Sequence, residues 1–223
     1  MFTLRRILRS LPVLGLGLLL CAGVALAGGV PDSATVTGQP LPLQEGFDDC
    51  RLTDGSTISV DDDTANTWTC FAEFSNISAN GFDNDVPADE WLITPALNLD
   101  AQENDALSFR TQTRYLDAGL DYPQLRVLYS QDFDPVADSE DPAAATWTEL
   151  TDLTLSAEDS DAYTESGIVD LSAIEGESVY IAFHYRSSGT ESGTAARWRL
   201  DDVYVREYLP LEMGACGDPA TLI

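Results

Sequence analysis

Short alternating runs of apolar and β-branched residues, parted by turn-rich loops, fill the middle and end of this chain, and nowhere does an apolar stripe persist for three helical turns. Leu107, Phe109, Thr111 and Thr113 alternate with Ser108, Arg110 and Gln112. Leu125, Val127 and Tyr129 alternate with Arg126 and Leu128. Val179, Ile181, Phe183 and Tyr185 alternate with Tyr180, Ala182, His184 and Arg186. A period of two with one face apolar is the pattern of a strand half buried in a sheet. Between the runs lie loops such as Asp117-Ala118-Gly119, Asp132 to Ala144 and Ser187-Ser188-Gly189-Thr190, rich in the residues that turns favour. At most one short turn each is expected at Ala143–Ala145 and Ser156–Asp161. The expected fold is all-β, an antiparallel β-sandwich of jelly-roll type over residues 41–208.

The last run breaks phase. Trp198 and Leu200 are apolar two apart, but the next apolar pair is Val203 and Val205, so the register slips by one residue across Asp201-Asp202. A β-bulge absorbs such a slip. Adjacent carboxylates at a bulge can turn toward a loop, where oxygen clusters suit a hard cation such as Ca²⁺. The plainer reading is an exposed acidic pair in an acidic protein.

The first residues read as an export signal. Arg5, Arg6 and Arg9 precede an apolar stretch from Leu11 to about Ala25, and Ala25-Leu26-Ala27 places small residues where a signal peptidase reads. Cleavage is expected after Ala27, leaving a flexible segment over 28–40 and a tail or linker over 209–223. Pro12, Gly15, Gly17 and Gly23 and the shortness of the stretch disfavour a membrane span. A lipoprotein reading through Cys21 ranks second, because Leu20 is bulky where a small residue is needed. No span then remains, and the protein is secreted or displayed on the surface of a bacterium. The Asn76-Ile77-Ser78 sequon has no use in that setting.

The whole chain carries a net charge of −27, with 11 basic residues against 38 acids. The signal holds three basic residues and no acid, so the mature net is 11 − 3 − 38 = −30, and no lysine occurs anywhere. Such a surface suits brine or seawater, where the Debye length falls to about 3 Å at 1 M salt; the alternative is an ordinary acidic secreted protein. Nucleic-acid binding by this domain is not expected, since it needs a basic stripe. Cys50, Cys70 and Cys216 remain after cleavage. Cys50 and Cys70 bracket a turn-rich loop, and pairing them would stabilise the fold by about 3 kcal/mol. Cys216 is left over.

Catalysis is not expected. The single histidine, His184, excludes His-based triads and multi-histidine metal centres. Thirty-eight acids always supply some carboxylate pair, so counting them says nothing unless two share a cleft. Binding is the better reading. With Val179, Ile181, Phe183 and Tyr185 inward, Tyr180, His184 and Arg186 share the other face, where they could stack on sugar rings or hydrogen-bond hydroxyls. Trp68, Trp91, Trp147 and Trp198 sit in apolar strands and are mostly assigned to the core.

Six segments in order, Trp91-Leu92-Ile93-Thr94-Pro95-Ala96-Leu97, Leu107-Ser108-Phe109, Asp141 to Trp147, Gly167 to Ser172, Val179 to Phe183 and Trp198 to Val203, resemble the choice-of-anchor J domains, relatives of the cleaved-adhesin and MAM-like modules. The resemblance covers Leu43 to Arg206. It implies a noncatalytic jelly roll on secreted or surface bacterial proteins, often with a structural calcium. It also implies that a first-strand acid, here Glu45, approaches Asp201 or Asp202, with Asp89 a weaker candidate ligand. Met213 to Ile223 resembles the junction after this domain in large secreted bacterial nucleases. The expectation is thus a recognition or adhesion module for an extracellular glycan or protein, with structural Ca²⁺. The alternative is the accessory front domain of an extracellular nuclease.

Overall fold

The computed structural model describes residues 38–49, 55–60, 67–116, 124–157, 159 and 161–208, all within one unit spanning 36–223. The expected signal (1–27), Cys21, Cys50, Cys216 and the 209–223 tail lie outside the described residues.

Twelve strands are seen among the described residues: β1 (Leu43–Glu45), β2 (Ser56–Ser59), β3 (Thr69–Phe71), β4 (Asn76–Ala79), β5 (Asp89–Ile93), β6 (Asp105–Arg114), β7 (Leu125–Ser130), β8 (Thr148–Glu149), β9 (Thr164–Glu165), β10 (Val169–Asp170), β11 (Tyr180–Arg186) and β12 (Arg197–Glu207). The only helical pieces among them are single 3-10 turns at Ala72–Phe74 and Pro142–Ala144. The larger sheet runs β10-β6-β12-β4-β3, with β9 also on β6 and β1 also on β12; the smaller runs β2-β5-β11-β7-β8. Every strand pairing is antiparallel. The protein is an all-β antiparallel sandwich of jelly-roll type.

The three long runs with period two form the middle strands. Leu107 and Phe109 of β6, Leu125 and Val127 of β7, Ile181, Phe183 and Tyr185 of β11, and Trp198, Leu200, Val203 and Val205 of β12 all enter the core between the sheets. Phe109 and Phe183 meet edge to face across it, 5.1 Å between centroids, the arrangement aromatic quadrupoles favour. Thr111 and Thr113 continue the inward row of β6 where the core thins, and Ser156 serves both. Its backbone N–H donates to the Thr111 hydroxyl at 3.0 Å, and its hydroxyl accepts from the Thr113 N–H at 3.1 Å. Buried hydroxyls are tolerable when paired in this way.

The expected bulge lies at the expected place. β12 pairs with β6 continuously from Arg197 to Asp201 and again from Tyr204, with the register shifting between. Asp202 has φ 50°, in the left-handed region. This extra residue returns Val203 and Val205 to the core, and it divides the far side of β12 between two short partners. β4 takes Trp198–Leu200 and β1 takes Val203–Val205.

Candidate functional site

The expected binding face on β11 is not open. Tyr180 and His184 are buried, and only Arg186 is exposed. A second apolar cluster covers that side of the smaller sheet: Trp91, Ile93, Leu128, Phe133, Tyr180 and Ala182, with half-buried Trp147 packed on it. Tyr180 stands edge-on to Phe133 at 5.1 Å, and Trp147 lies 5.3 Å from Trp91 and 5.6 Å from Phe133. The segment between β7 and β8 thus folds back as a cover. Within this segment Trp147 Nε1 donates to the Pro142 carbonyl at 2.7 Å, and at its start Ser130 Oγ accepts from the Phe133 N–H at 3.0 Å. The continuous apolar runs Trp91-Leu92-Ile93 and Val127-Leu128 carried the signal of burial on both faces.

His184 stacks on Trp91 with centroids 3.8 Å apart, and its Nε2 lies 2.7 Å from Asp89 Oδ1. Asp89 also accepts from Trp91 Nε1 at 3.0 Å and faces Arg186 Nε at 3.4 Å. Burial pushes the Asp89 carboxyl up, but the His184 hydrogen bond and charge, Arg186 and the indole outweigh it and hold the group below the usual carboxylate range. This is a locked structural cluster.

Of the four carboxylates expected near Ca²⁺, Glu45 comes beside the Asp201-Asp202 bulge, opposite Val203 in the β1–β12 register, and Asp89 stands apart. Asp89 belongs to the smaller sheet, while Glu45, Asp201 and Asp202 belong to the larger one. Glu45 Oε1 accepts from the Phe47 N–H at 2.7 Å. Asp201 and Asp202 are bridged by one guanidinium: Arg110 Nη2 donates to Asp201 at 2.7 Å and Arg110 Nε lies 3.0 Å from Asp202. Among the described residues no group of three or more His, Cys, Asp or Glu could hold a metal ion. Arg110 thus neutralises both carboxylates of the bulge. Its alternation with Leu107 and Phe109 already placed it on the outer face; its pairing across to β12 needed the sheet order. Cys70, on β3, is disulfide-bonded, and Cys50 is outside the described residues.

An open pocket of about 290 Å³ lies instead at one end of the sandwich, lined by Asn80, Phe82, Tyr115, Ser192 and Ala195. Phe82 and Tyr115 are 48 % and 52 % exposed, and here the two rings line one concave surface rather than standing singly. The frame is rigid. Asn80 Oδ1 accepts from the Phe82 N–H at 3.1 Å, the Gly81 N–H donates to the Tyr185 hydroxyl at 3.2 Å, and that hydroxyl donates to the Ala196 carbonyl at 2.8 Å. Gly81 is required, since a Cβ there would come within 2.8 Å of Ser187 Oγ. Across the pocket the Gly193 N–H donates to the Tyr115 carbonyl at 3.0 Å. The Gln124 amide ties Thr194 and Ala196 by bonds of 2.9 and 3.2 Å. Tyr115 has φ 64°, a strained conformation for an aromatic residue, which turns the ring off the end of β6. Sequence reasoning missed this site because its residues come from three loops with no shared spacing.

No helix among the described residues is long and apolar enough to cross a membrane. No curated protein matches the chain. Solved structures similar to it include the K3 and K1 cleaved adhesin domains of Lys-gingipain from Porphyromonas gingivalis. Their identities are 20 % and 16 %, covering 74 % and 76 % of this chain and 98 % and 99 % of theirs, with TM-scores of 0.47 and 0.48. The CBM22-1 xylan-binding domain of Paenibacillus barcinonensis Xyn10C is similar at 14 % identity, covering 75 % of this chain and 95 % of its own, with a TM-score of 0.39. These likenesses concern the sandwich outline and transfer no ligand. A family model described as "Domain of unknown function (DUF5017)" matches residues 98–210, half of the chain, and the protein belongs to that family.

Proposed function

We propose that this chain is an exported, noncatalytic recognition module that binds an extracellular glycan in the pocket of Asn80, Phe82, Tyr115, Ser192 and Ala195. One observation carries the reading: two half-exposed aromatic rings and two uncharged hydrogen-bonding side chains converge on a preformed cavity. Sugar rings present apolar C–H faces for stacking and hydroxyls for amide and hydroxyl partners, and a rigid frame spares the ordering cost of binding. The burial of the sole histidine between Trp91 and Asp89 supports a role without catalysis. The export signal over residues 1–27, a Cys50–Cys70 disulfide and a saline habitat belong to the same reading.

Screening the protein against a glycan array, then titrating the best hit by calorimetry, tests it. Phe82→Ala and Tyr115→Ala should each weaken binding by about three- to tenfold, since a stacked ring contributes about 0.5–1.5 kcal/mol beyond its area burial, with the far-ultraviolet spectrum unchanged. Full affinity in both variants, or turnover of any polysaccharide, would overturn the proposal.

A further inference from the structure

Among the described residues positive charge is concentrated on one surface. Five of the seven arginines among the described residues, Arg110, Arg114, Arg197, Arg199 and Arg206, lie at outward positions of β6 and β12 on the larger sheet. Three stand together: Arg197 is the cross-strand partner of Arg114, and Arg199 follows two residues on. Like charges directly opposite one another destabilise a sheet, so each needs an explanation.

Two are explained by the fold. Arg110 is neutralised by Asp201 and Asp202, with its guanidinium 4.7 Å from the Tyr163 ring. Arg114 pairs with Asp161. Arg197 and Arg199 have no carboxylate partner among the described residues. Arg199 Nη1 donates only to the neutral Gln112 side chain, at 3.0 Å, and lies over Phe74 at 5.5 Å. Arg197 lies over Tyr115 at 5.6 Å, and its Nε is buried with no hydrogen-bond partner. An unmade bond at a buried charged donor is costly. Burial, with Arg199 and Arg114 beside it, pushes the Arg197 guanidinium down from its ordinary value. This is the electrostatic setting that an incoming anion would relieve.

Tyr115 joins this face to the pocket, because the ring that lines the cavity is the ring on which Arg197 rests. We propose that Arg197 and Arg199 read the carboxylate of an acidic sugar whose ring sits against Tyr115 and Phe82, so that the glycan recognised is a uronate. The inference rests on the glycan reading of the pocket and extends it. A guanidinium presents paired N–H donors matching a carboxylate, and residues two apart on a strand face the same side, so one carboxylate can be reached by both. A polyanion such as a nucleic acid fits less well. Among the described residues only Arg197, Arg199 and Arg206 have no ion pair, Arg206 lying over the Tyr204 ring at 5.5 Å, and Asp83 and Glu191 belong to the loops that frame the cavity.

The test uses disaccharides of galacturonate, glucuronate and mannuronate, each beside its methyl ester and its neutral parent sugar, titrated by calorimetry. At least one acid should bind, with its ester at least tenfold weaker. Arg197→Gln and Arg199→Gln should each lose at least tenfold toward the acid while changing ester binding less than twofold. Arg126→Gln, on the smaller sheet, should bind as the parent does. Acid and ester binding equally would overturn the charge assignment and leave the glycan pocket standing. No binding by any acid, ester or neutral sugar would overturn both. Melting temperatures of the variants within a few degrees of the parent exclude unfolding as the cause of a loss.

Discussion

Arg110 bridges the two carboxylates of the β12 bulge. Asp201 is almost fully buried, with 4 % of its side chain exposed, against 34 % for Arg110. Burial pushes the Asp201 carboxyl up and the Arg110 hydrogen bond and charge pull it back only in part, so it remains above its ordinary value. Arg110→Ala strands this carboxylate, and a loss of about 2–3 kcal/mol is expected at neutral pH, the low end for a broken pair because Arg110 is partly solvated. The sign with pH is set by a folded-state pKa above the unfolded one. The penalty is fully present above the folded value and is relieved as pH falls through it, since protonation favours the fold. Denaturant melts of parent and variant should therefore converge as pH is lowered toward the carboxylate range. A gap that widens on acidification would show that Asp201 is not the stranded group. Asp89 runs the other way. Its depressed pKa gives stability that is present above the unfolded value and lost as pH drops through the folded one.

At the scale of the strand, β12 shows what the alternation could and could not disclose. The phase slip between Leu200 and Val203 was legible because side-chain period in a strand is two, and only an added residue restores it. The partners of the two carboxylates were not legible, since Arg110 lies far away in sequence and meets them only through the β6–β12 register. The same holds for β11. The inward row was plain, but in the outward row Tyr180 is covered by Phe133, from a loop whose path the strand pattern does not encode, and His184 by Trp91 of the neighbouring strand. The pocket lies still further from sequence reach, because Phe82 and Tyr115 converge from separate loops. Asp202 tests the bulge. With φ at 50°, Asp202→Gly relieves backbone strain while losing an exposed ion-pair contact, and should stay within about 1 kcal/mol of the parent. Asp202→Val places a β-branched residue where it is sterically disfavoured and should cost about 1–3 kcal/mol. Equal stability of the two variants in urea would mean that the strand can shed the bulge.

Over the whole molecule, 38 acids against 11 arginines leave a net charge of −27, and many of the arginines are gathered on one sheet face. The remaining surface therefore meets its own carboxylates with few local counter-charges, and a compact shape holds like charges closer together than an unfolded chain does. Salt shortens the range of that repulsion from about 30 Å at 0.01 M to about 3 Å at 1 M. Screening should thus favour the folded state, whereas in a chain of balanced charge the same salt would weaken as many attractions as repulsions. The melting temperature is expected to climb steadily with sodium chloride across this range. Each 1 kcal/mol of relief would appear as about 2–4 °C for a domain of this size. Potassium and choline chlorides should give the same curve at equal ionic strength, because screening depends on charge and concentration rather than on cation size. Differential scanning fluorimetry in the three salts decides the matter. A flat response would remove self-repulsion as a determinant of stability, and a rise confined to one cation at millimolar concentration would point to a bound ion instead.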